Sequence, residues 1–237
     1  MPPLTILYED NHLLSVVKPP NMPTQEDSTG DADLLSEVKN DIKVRHQKPG
    51  NVFVGLVHRL DRPVGGVMIF AKTSKAASRL SDQIRTHTFK KTYLAIVRGE
   101  PAADKEELVH YLRKDSKTNT VHLAKPQEPD AKKAILSYVK GPSRNGLTII
   151  AVHLKTGRPH QIRVQLSAIG FPLYGDQKYG AHVNKPGQQI ALWSSEIGFE
   201  HPTKKSWEHI RSLPPVDDPW TYWTEREMLD LLQQAPE

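Results

Sequence analysis

The residues best placed to do chemistry form one short polar stretch, His58-Arg59-Leu60-Asp61, between two apolar runs. The runs, residues 52–57 and 67–71, are short and rich in β-branched or aromatic residues, which is typical of buried strands. Pro63 and the Gly65-Gly66 pair predict a loop or turn between them. A carboxylate held in such a loop could act as a nucleophile or a base. An aspartate that caps the turn and pairs with a neighbouring arginine explains the pattern equally well.

A resemblance to a known family favours the catalytic interpretation of Asp61. The tetrad, followed by a glycine-containing turn and an apolar strand, resembles the catalytic motif of the RluA/RluC/RluD-type pseudouridine synthases. In that family the tetrad is usually followed by two variable residues and then Thr-Ser-Gly. Here Val64-Gly65 stands in place of Thr-Ser, and Gly66 keeps the place of the glycine.

Two further stretches resemble motifs of the same family. Residues 91–99 resemble its tyrosine motif and contain Tyr93, and residues 156–166 resemble its arginine motif and contain Arg163. In that last motif a histidine often stands where Gln165 stands here. The matches follow the family order from about residue 12 to residue 205, so the resemblance covers most of the chain.

The resemblance implies an RNA pseudouridine synthase, an isomerase that acts on uridines in structured RNA, either ribosomal or transfer RNA. Such an enzyme cleaves the glycosidic bond, turns the uracil over and rejoins it through carbon 5, without a metal or another cofactor. The target base must leave its stack before a carboxylate can reach the sugar. The resemblance assigns catalysis to Asp61, Tyr93 and Arg163, with Arg163 as the charge partner of the Asp61 carboxylate.

The same resemblance suggests residues that bind the substrate. Arg59 matches an arginine associated with filling the place that the base vacates, and Leu192 matches a leucine that packs against the base. His58 is expected to support the loop. Arg158 is expected to contact the RNA together with the basic region 72–98.

Two other functions are compatible with the sequence. The departures at Val64-Gly65 and Gln165 would suit an RNA-binding or RNA-chaperone module that keeps the fold without the activity. Hydrolysis of a nucleoside or glycoside would require a second carboxylate across the bond, and the motifs offer none. Asp176 is the nearest candidate, but an aspartate in a Gly-Asp turn is more often structural.

Composition agrees with an RNA partner. The formal net charge is +5, basic residues gather in region 72–98, and acidic residues gather near the C-terminus, which predicts a basic face and an acidic edge. The absence of cysteine excludes disulfides and cysteine-based zinc sites. No apolar run approaches the ~20 residues that span a bilayer, and no basic segment precedes an apolar core at the N-terminus. We therefore expect a cytoplasmic protein, and a monomer.

The elements that must position these residues predict an α/β (α+β) protein. By resemblance it has the pseudouridine synthase catalytic fold, a mixed, largely antiparallel central sheet flanked by helices. We expect a single catalytic domain over residues 1–237, with two closely packed halves compatible, and an acidic tail, 206–237, outside the resemblance. Core strands begin almost at once, so we expect no extra N-terminal RNA-binding domain.

Local patterns predict the individual elements. Besides the two runs around the tetrad, the predicted strands are residues 4–8, 13–17, 91–97, 108–112, 121–124, 133–139, 147–154 and 190–193. The predicted helices are residues 31–45, one capped by Ser74, one with Pro159 in its first turn that ends at Gly170, and one in the acidic tail. The Lys18-Pro19-Pro20 segment is stiff and is expected at the rim of the site. The tail aromatics, Trp207, Trp220, Tyr222 and Trp223, are expected to pack rather than to stack on bases.

Overall fold

The computed structural model describes residues 3–234, in which the chain forms two compact units. The first unit comprises residues 3–90 and 194–212, and the second comprises residues 91–193 and 213–234. The ends of the predicted domain, 1–2 and 235–237, lie outside the described residues. In chain order the elements are β1 (Ile6–Glu9), β2 (Leu13–Lys18), α1 (Leu34–Arg45), β3 (Gly55–Leu56), β4 (Gly65–Ala71), α2 (Ser74–Arg85), β5 (Lys90–Arg98), β6 (Lys105–Asp115), β7 (Thr120–Ala124), β8 (Lys132–Arg144), β9 (Leu147–Leu154), α3 (Gln161–Ala168), β10 (Leu192–Glu200), β11 (Trp207–Arg211), a 3₁₀ helix (Trp220–Tyr222) and α4 (Glu225–Gln233).

The first unit is built around strand β4, in which every residue is buried. Its strands lie in the order β1-β2-β4-β10, with β11 beside β10 and β3 beside β4. Strand β2 runs antiparallel to β4, from Leu13 opposite Ala71 to Lys18 opposite Gly66. Helix α2 covers one face of these strands, where Leu80 packs with apolar residues of β2, β4 and β10. The uninterrupted apolar sequence of β4 is therefore explained by burial on both of its faces.

The strand predicted over residues 52–57 is much shorter than expected. Only Gly55 and Leu56 pair with β4, opposite Ala71 and Phe70. The other end of β4 is paired with β10 instead. There the Ser194 Oγ of β10 donates to the carbonyl oxygen of Val67 in β4 at 3.1 Å. Two strands thus share one edge of β4, which leaves β3 only two residues.

The second unit contains the predicted antiparallel meander. Its strands lie in the order β5-β9-β8-β6-β7, and each of these neighbouring pairs is antiparallel. Helix α3 packs on one face, where Val164 joins a cluster with Leu112, Val121 and Ala134. Helix α4 is tied to β8 by an ion pair between Arg144 and Glu227 at 2.5 Å. The predicted fold class, a largely antiparallel sheet flanked by helices, is confirmed.

Several predicted element boundaries are wrong by a few residues. The cap of α2 is Thr73, whose side chain accepts a hydrogen bond from the amide of Ala76, and Ser74 is already helical. Pro159 precedes α3 instead of lying in its first turn, because His160 is the N-cap. The strand predicted to end at residue 193 runs on to Glu200. Among residues 3–234, no helix is long and apolar enough to cross a membrane.

The tail divides between the two units. Strand β11 pairs with β10 in the first unit, and α4 belongs to the second unit, where Thr224 and Glu227 form a capping box at its start. Trp220 and Trp223 are buried, which confirms their predicted role in packing. Trp207 is 46% exposed, and its Nε1 donates to His209 Nε2 at 2.8 Å, so for this residue the packing role stays a prediction.

The predicted basic region, residues 72–98, is less available to a ligand than its charge suggested. Lys72 pairs with Glu9 at 2.6 Å, and the guanidinium of Arg79 donates to the carbonyl oxygen of Pro202. Arg98 also has internal partners in the second unit. These cations hold structure together, so the number of residues in the region that could meet RNA is smaller than predicted.

Candidate active site

The tetrad lies in the loop between β3 and β4, as predicted. The amide of Val64 donates to the carbonyl oxygen of Asp61 at 3.0 Å, which closes a turn over residues 61–64. Leu60 is buried, Asp61 is half-buried and Arg59 is exposed. The carboxylate of Asp61 thus lies at the border between the core and the solvent.

Lys18 anchors this loop from the end of β2. Its side chain is fully buried, and its Nζ donates to the carbonyl oxygens of Pro19 at 2.9 Å, Met22 at 2.6 Å and Arg62 at 3.0 Å. Three acceptors match the three hydrogens of an ammonium group. The lysine therefore fixes the residue that directly follows Asp61, and it lies beneath the loop instead of at the predicted rim.

The charge of Lys18 is coupled to that of Asp61. Burial lowers the pKa of Lys18 to about 7, the negative charge of Asp61 acts to raise it, and the positive charge of Arg62 lowers it further. An ionised Asp61 therefore favours the ammonium form, which is the form that saturates all three carbonyl oxygens.

Thr24 and His58 hold the other side of the loop. Thr24 Oγ1 donates to the carbonyl oxygen of Leu60 at 2.9 Å and accepts the amide of Leu60 at 3.3 Å. His58 Nε2 accepts the amide of Ile69 at 3.1 Å, and its ring lies 5.7 Å from that of Phe89. The residues on both sides of Asp61 are thus fixed, and His58 supports the loop as expected.

Neither neighbouring arginine pairs with Asp61. The guanidinium of Arg62 turns to the segment before α1, where it pairs with Asp31 and lies 3.7 Å from Asp27. Within residues 3–234, no hydrogen bond or ion pair involves the side chain of Arg59, which is exposed. The turn-capping alternative, in which Asp61 serves as the partner of an adjacent arginine, is therefore not supported.

The departure from the family motif falls on packing positions. Val64 is buried, and Gly65 is the buried first residue of β4. Gly66 has a φ of +118°, and a Cβ built there would lie 2.3 Å from the carbonyl oxygen of Ser194. A side chain cannot be accommodated at that distance, so residue 66 must be glycine. The chain keeps the one glycine in this turn that its backbone demands.

In the second unit, Tyr93 lies on a buried strand face. It is 6% exposed on β5 and is paired with Val152 of β9, which is paired in turn with Tyr138 of β8. Residues directly opposite one another in a sheet point to the same face. This face also carries Ala134, against which α3 packs. Leu192, the first residue of β10, is 5% exposed.

The segment before α3 is stapled to β8 by Gln161. Its Oε1 accepts the hydroxyl of Thr156 at 2.8 Å and the amide of Arg158 at 2.9 Å, while its Nε2 donates to the carbonyl oxygen of Ile135 at 3.0 Å. Arg158 itself is half-buried, and its Nε donates to the carbonyl oxygen of Lys133 at 2.9 Å. The backbone of the arginine motif that leads into α3 is therefore held in one position.

Tyr179 fastens the start of α3 from the other side. His160, the N-cap residue, has a φ of +50°, and its Nδ1 lies 2.6 Å from the hydroxyl oxygen of Tyr179. That oxygen accepts the amide of Val121 at 2.9 Å, so the hydroxyl hydrogen can be donated to His160. The guanidinium of Arg163 lies over the Tyr179 ring, 5.2 Å from its centroid, as in a cation–π contact.

Arg163 forms a buried, bidentate ion pair with Asp176. Arg163 is 6% exposed and Asp176 is 1% exposed, and both Nε and Nη2 of the arginine donate to the carboxylate at 2.8 Å. The amides of Lys178 and Tyr179 donate to the same carboxylate at 2.9 and 3.2 Å. Sequence analysis had correctly favoured a structural role for Asp176 but had not linked it to Arg163.

The environment of Asp176 keeps it ionised. Burial alone would raise the pKa of Asp176, but the hydrogen bonds and charge of Arg163 and the two backbone amides outweigh it and lower the pKa. A carboxylate that is ionised and occupied by four donors is not suited to protonate a leaving group. The hydrolytic alternative therefore lacks its second acid. The predicted partnership between Arg163 and Asp61 stays a prediction.

Gln165, the other departure from the family pattern, is a core residue. Its Nε2 lies within hydrogen-bond distance of the carbonyl oxygens of Leu108 at 3.1 Å and Ala134 at 3.4 Å, and of His110 Nδ1 at 3.0 Å. The side chain is fully buried. It connects α3 to the sheet, so the exchange of histidine for glutamine changes a packing contact.

About two thirds of the chain, including the residues of the candidate site named next, matches one protein family. A sequence profile described as RNA pseudouridylate synthase matches residues 12–168, which contain Asp61, Tyr93 and Arg163. The chain belongs to this family. The predicted family and the predicted enzyme class, an RNA pseudouridine synthase, are thus confirmed.

Relatives with pseudouridine synthase names resemble the chain along most of its length. YjbO of Bacillus subtilis, named as an uncharacterized RNA pseudouridine synthase, is 34% identical over 218 residues, 90% of this chain and 73% of that protein. The tRNA pseudouridine synthase C of Haemophilus ducreyi is 32% identical over 92% of this chain and 93% of that protein. The ribosomal large subunit pseudouridine synthase C of Buchnera aphidicola is 32% identical over 90% of this chain and 67% of that protein.

Solved structures with the same fold include two human proteins, RNA pseudouridylate synthase domain containing 4 and domain containing 1. Their TM-scores are 0.76 and 0.75, and they cover 98% and 99% of this chain and 95% and 96% of their own chains. Both are 19% identical to it, so they establish the pseudouridine synthase fold. The roles of the individual site residues stay predictions.

We expect Lys18→Met to destabilise the first unit of this pseudouridine synthase. The methionine fills the same space but leaves three carbonyl oxygens without their donor, and an unsatisfied buried polar group costs about 1–3 kcal/mol. The free energy of unfolding in urea should fall by about 2–3 kcal/mol. Lys39→Met, at an exposed position of α1, is the matched control and should stay within about 0.5 kcal/mol of wild type. Equal stability of the two variants would show that Lys18 does not anchor the loop.

We expect Arg163→Met to cost about 3–5 kcal/mol of stability, because it leaves the Asp176 carboxylate buried and unpaired. Adding Asp176→Asn removes that charge and keeps an acceptor for the two amides, so the double variant should be more stable than Arg163→Met alone. Urea unfolding of the four proteins forms a double-mutant cycle. Since the pKa of Asp176 is lowered, the pair's contribution is present above the ordinary aspartate pKa and is lost as pH falls through the folded value. A coupling below about 0.5 kcal/mol would contradict a structural ion pair.

Proposed function

We propose that this protein isomerises specific uridines in structured RNA, either ribosomal or transfer RNA, with Asp61 as the catalytic carboxylate. The observation that carries the proposal is the Asp61 loop itself. The chain belongs to the RNA pseudouridylate synthase family. In its structure, Lys18, Thr24 and His58 fix the residues around Asp61. Of the two arginines beside it, Arg62 pairs with Asp31 and Arg59 is exposed. A fixed carboxylate at the border of the core is suited to attack a sugar or to remove a proton from it.

In the proposed mechanism, RNA presents the target uridine unstacked, so that its ribose reaches the carboxylate of Asp61. Asp61 acts on the ribose as a nucleophile or a base while the glycosidic bond breaks. The uracil then turns over and carbon 5 forms the new bond to the ribose, while Asp61 leaves the ribose or returns the proton that it took. Carbon 5 finally loses its proton and N1 gains one, so the product is an isomer of the substrate. Holding the carboxylate and the sugar in one orientation supplies much of the rate, because the fixed loop requires little reorganisation during the reaction.

Tyr93, Leu192 and Arg59 are proposed to act on the base. Tyr93 and Leu192 are both nearly buried, which suits an aromatic ring that stacks on uracil or supplies a hydroxyl, and a leucine that packs against it. Arg59 is exposed beside Asp61, and no contact among residues 3–234 holds its side chain. It can therefore enter the RNA stack and fill the place of the departed base.

Arg163 is proposed as the charge partner of Asp61 in the working enzyme. An arginine carries five N–H donors in a planar fork, and Asp176 accepts two of them. The Asp176 carboxylate and the Tyr179 ring orient the guanidinium, so it can serve a second carboxylate without reorganising. A cation beside Asp61 would keep the catalytic group ionised during binding.

The substrate class is proposed from the relatives. One relative is named for tRNA and another for the ribosomal large subunit. The relative named for tRNA matches this chain over 93% of its own length, so tRNA is the first substrate to test. We further propose that the enzyme acts in the cytoplasm as a monomer. A stoichiometry of one protein per RNA in sedimentation, with no dimer at working concentration, tests the oligomeric state.

The alternative of an RNA-binding module without activity is not favoured. It rested on the altered positions Val64-Gly65 and Gln165, and these lie in the core. The groups proposed to do the chemistry, Asp61, Tyr93 and Arg163, are all present. Changes in packing residues do not remove a charge or a hydroxyl from the site.

We expect Asp61→Asn to abolish isomerisation and to keep most of the affinity for RNA, because phosphate contacts dominate binding. The measurement is pseudouridine formation in total tRNA and in ribosomal RNA, prepared from cells that lack the protein. Asp82→Asn, which changes an exposed aspartate of α2, is the control and should turn over as wild type does. Turnover by Asp61→Asn within tenfold of wild type would rule out Asp61 as the catalytic group. Release of free uracil would indicate hydrolysis, and binding without any reaction would indicate the inactive module.

A further inference from the structure

Lys91 is a cation of the second unit for which the described residues, 3–234, provide no hydrogen-bond or ion-pair partner. It lies on β5 two residues before Tyr93, and residues i and i+2 of a strand point to the same face, about 7 Å apart. Its side chain is half-buried, and within residues 3–234 its ammonium forms no hydrogen bond and no ion pair. Arg59 also lacks such a contact, but its side chain is exposed to solvent, whereas that of Lys91 is half-buried.

The neighbouring backbone leaves room for this ammonium. A Cβ built at Gly157 would lie 2.9 Å from Lys91 Nζ and would meet no other atom within 4 Å. A side chain at residue 157 would thus be in close contact with the ammonium of Lys91. The backbone on either side of Gly157 is held by Gln161, which accepts hydrogen bonds from Thr156 and Arg158, so the ammonium lies beside a fixed segment.

The partial burial of the Lys91 ammonium is energetically unfavourable for the protein. Burial lowers the pKa of Lys91, and no neighbouring charge opposes the shift. A partly desolvated ammonium without a counter-charge is unfavourable unless a ligand supplies the charge. An anion that binds there would recover the lost solvation and would favour the charged form.

We propose that Lys91 is a phosphate-binding residue that contacts the RNA backbone next to the nucleotide whose base meets Tyr93. This inference rests on the proposed function, which supplies the RNA and the role of Tyr93. A phosphate is the ligand that fits, because RNA carries one for every nucleotide and a lysine ammonium binds phosphate as a compact point charge. The 7 Å between the two positions on β5 is short enough for one nucleotide and its flanking phosphate to reach both.

The first test is the salt dependence of RNA binding. The probe is a synthetic RNA hairpin with a single uridine in its loop, bound to Asp61→Asn protein so that no turnover occurs, at about 50 to 200 mM salt. Lys91→Met should weaken binding several-fold and reduce the slope of log K against log salt by about 1. Lys91→Arg, which keeps the charge, should keep the slope. Lys155→Met is the matched control, since Lys155 is already paired with Glu107, and it should leave the slope unchanged.

The second test moves the ammonium without removing it. Gly157→Ala places a methyl group 2.9 Å from the position of Lys91 Nζ, closer than a Cβ normally approaches another atom, so the ammonium must shift away. The variant should weaken binding of the same hairpin when Lys91 is present and have no effect in the Lys91→Met background. Lys91→Met alone should unfold at the same temperature as wild type or higher, because a poorly solvated charge is removed. A lower melting temperature would show that Lys91 has a structural role, and equal effects of Gly157→Ala in both backgrounds would show that the alanine acts through the loop.

Other results would overturn the inference in distinct ways. An unchanged salt slope for Lys91→Met, in a protein that isomerises uridine, would refute the phosphate contact and leave the proposed function standing. A fall in kcat at saturating RNA, with the slope and affinity unchanged, would place Lys91 in the chemistry instead of on the backbone. A Lys91-dependent slope in a protein that isomerises no RNA would support the phosphate contact and refute the proposed function.

Discussion

The structure of the candidate site depends on a buried ammonium group. Lys18 closes β2 with no exposure to solvent and places its three hydrogens on the carbonyl oxygens of Pro19, Met22 and Arg62. A charge buried in this way is tolerated only when its surroundings satisfy it, so the two segments that contribute those oxygens, one with Pro19 and Met22 and one with Arg62, are constrained together. One of them directly follows Asp61. The position of the carboxylate is therefore tied to the core of the first unit, although Asp61 itself is half-buried.

The second unit also contains a buried cation, Arg163, but its charge is compensated in a different way. Arg163 is almost as deeply buried, and a full negative charge, Asp176, compensates it in bidentate geometry. Carbonyl dipoles satisfy the hydrogens of Lys18, and the charge of Asp61 opposes the effect of burial only in part. Asp176, in contrast, neutralises Arg163 and also fixes the plane of its guanidinium group. Lys91 has neither kind of compensation among the described residues. The three cations thus form a series from fully compensated to uncompensated, and the last is the one best suited to a ligand that supplies its own negative charge.

Most helices and strands could be predicted from the sequence, whereas contacts between residues far apart in the chain could not. Strands such as β9, eight buried residues between turns, are visible because their composition reflects burial directly. The two-residue β3 could not be predicted, since its length depends on β10, which takes the rest of one edge of β4 and lies more than a hundred residues away. The cap at Thr73 was missed by one residue because two adjacent hydroxyl residues offer equivalent caps and only the backbone selects between them. Lys18 carried one usable signal, a lysine at the end of an apolar run and just before two prolines.

The departures from the family pattern show that the effect of a residue exchange on a site depends on the contacts of that residue and not on its identity alone. Val64 and Gln165 differ from the usual residues, yet one packs in the core and the other connects α3 to the sheet. Gly66 is kept because the carbonyl oxygen of Ser194 lies where a Cβ would be. Packing positions can exchange residues when volume and hydrogen bonds are preserved, whereas a required φ or a buried charge permits few alternatives. Gly66 and Arg163, which lie in the stretches that resemble the family motifs, are under this second kind of constraint.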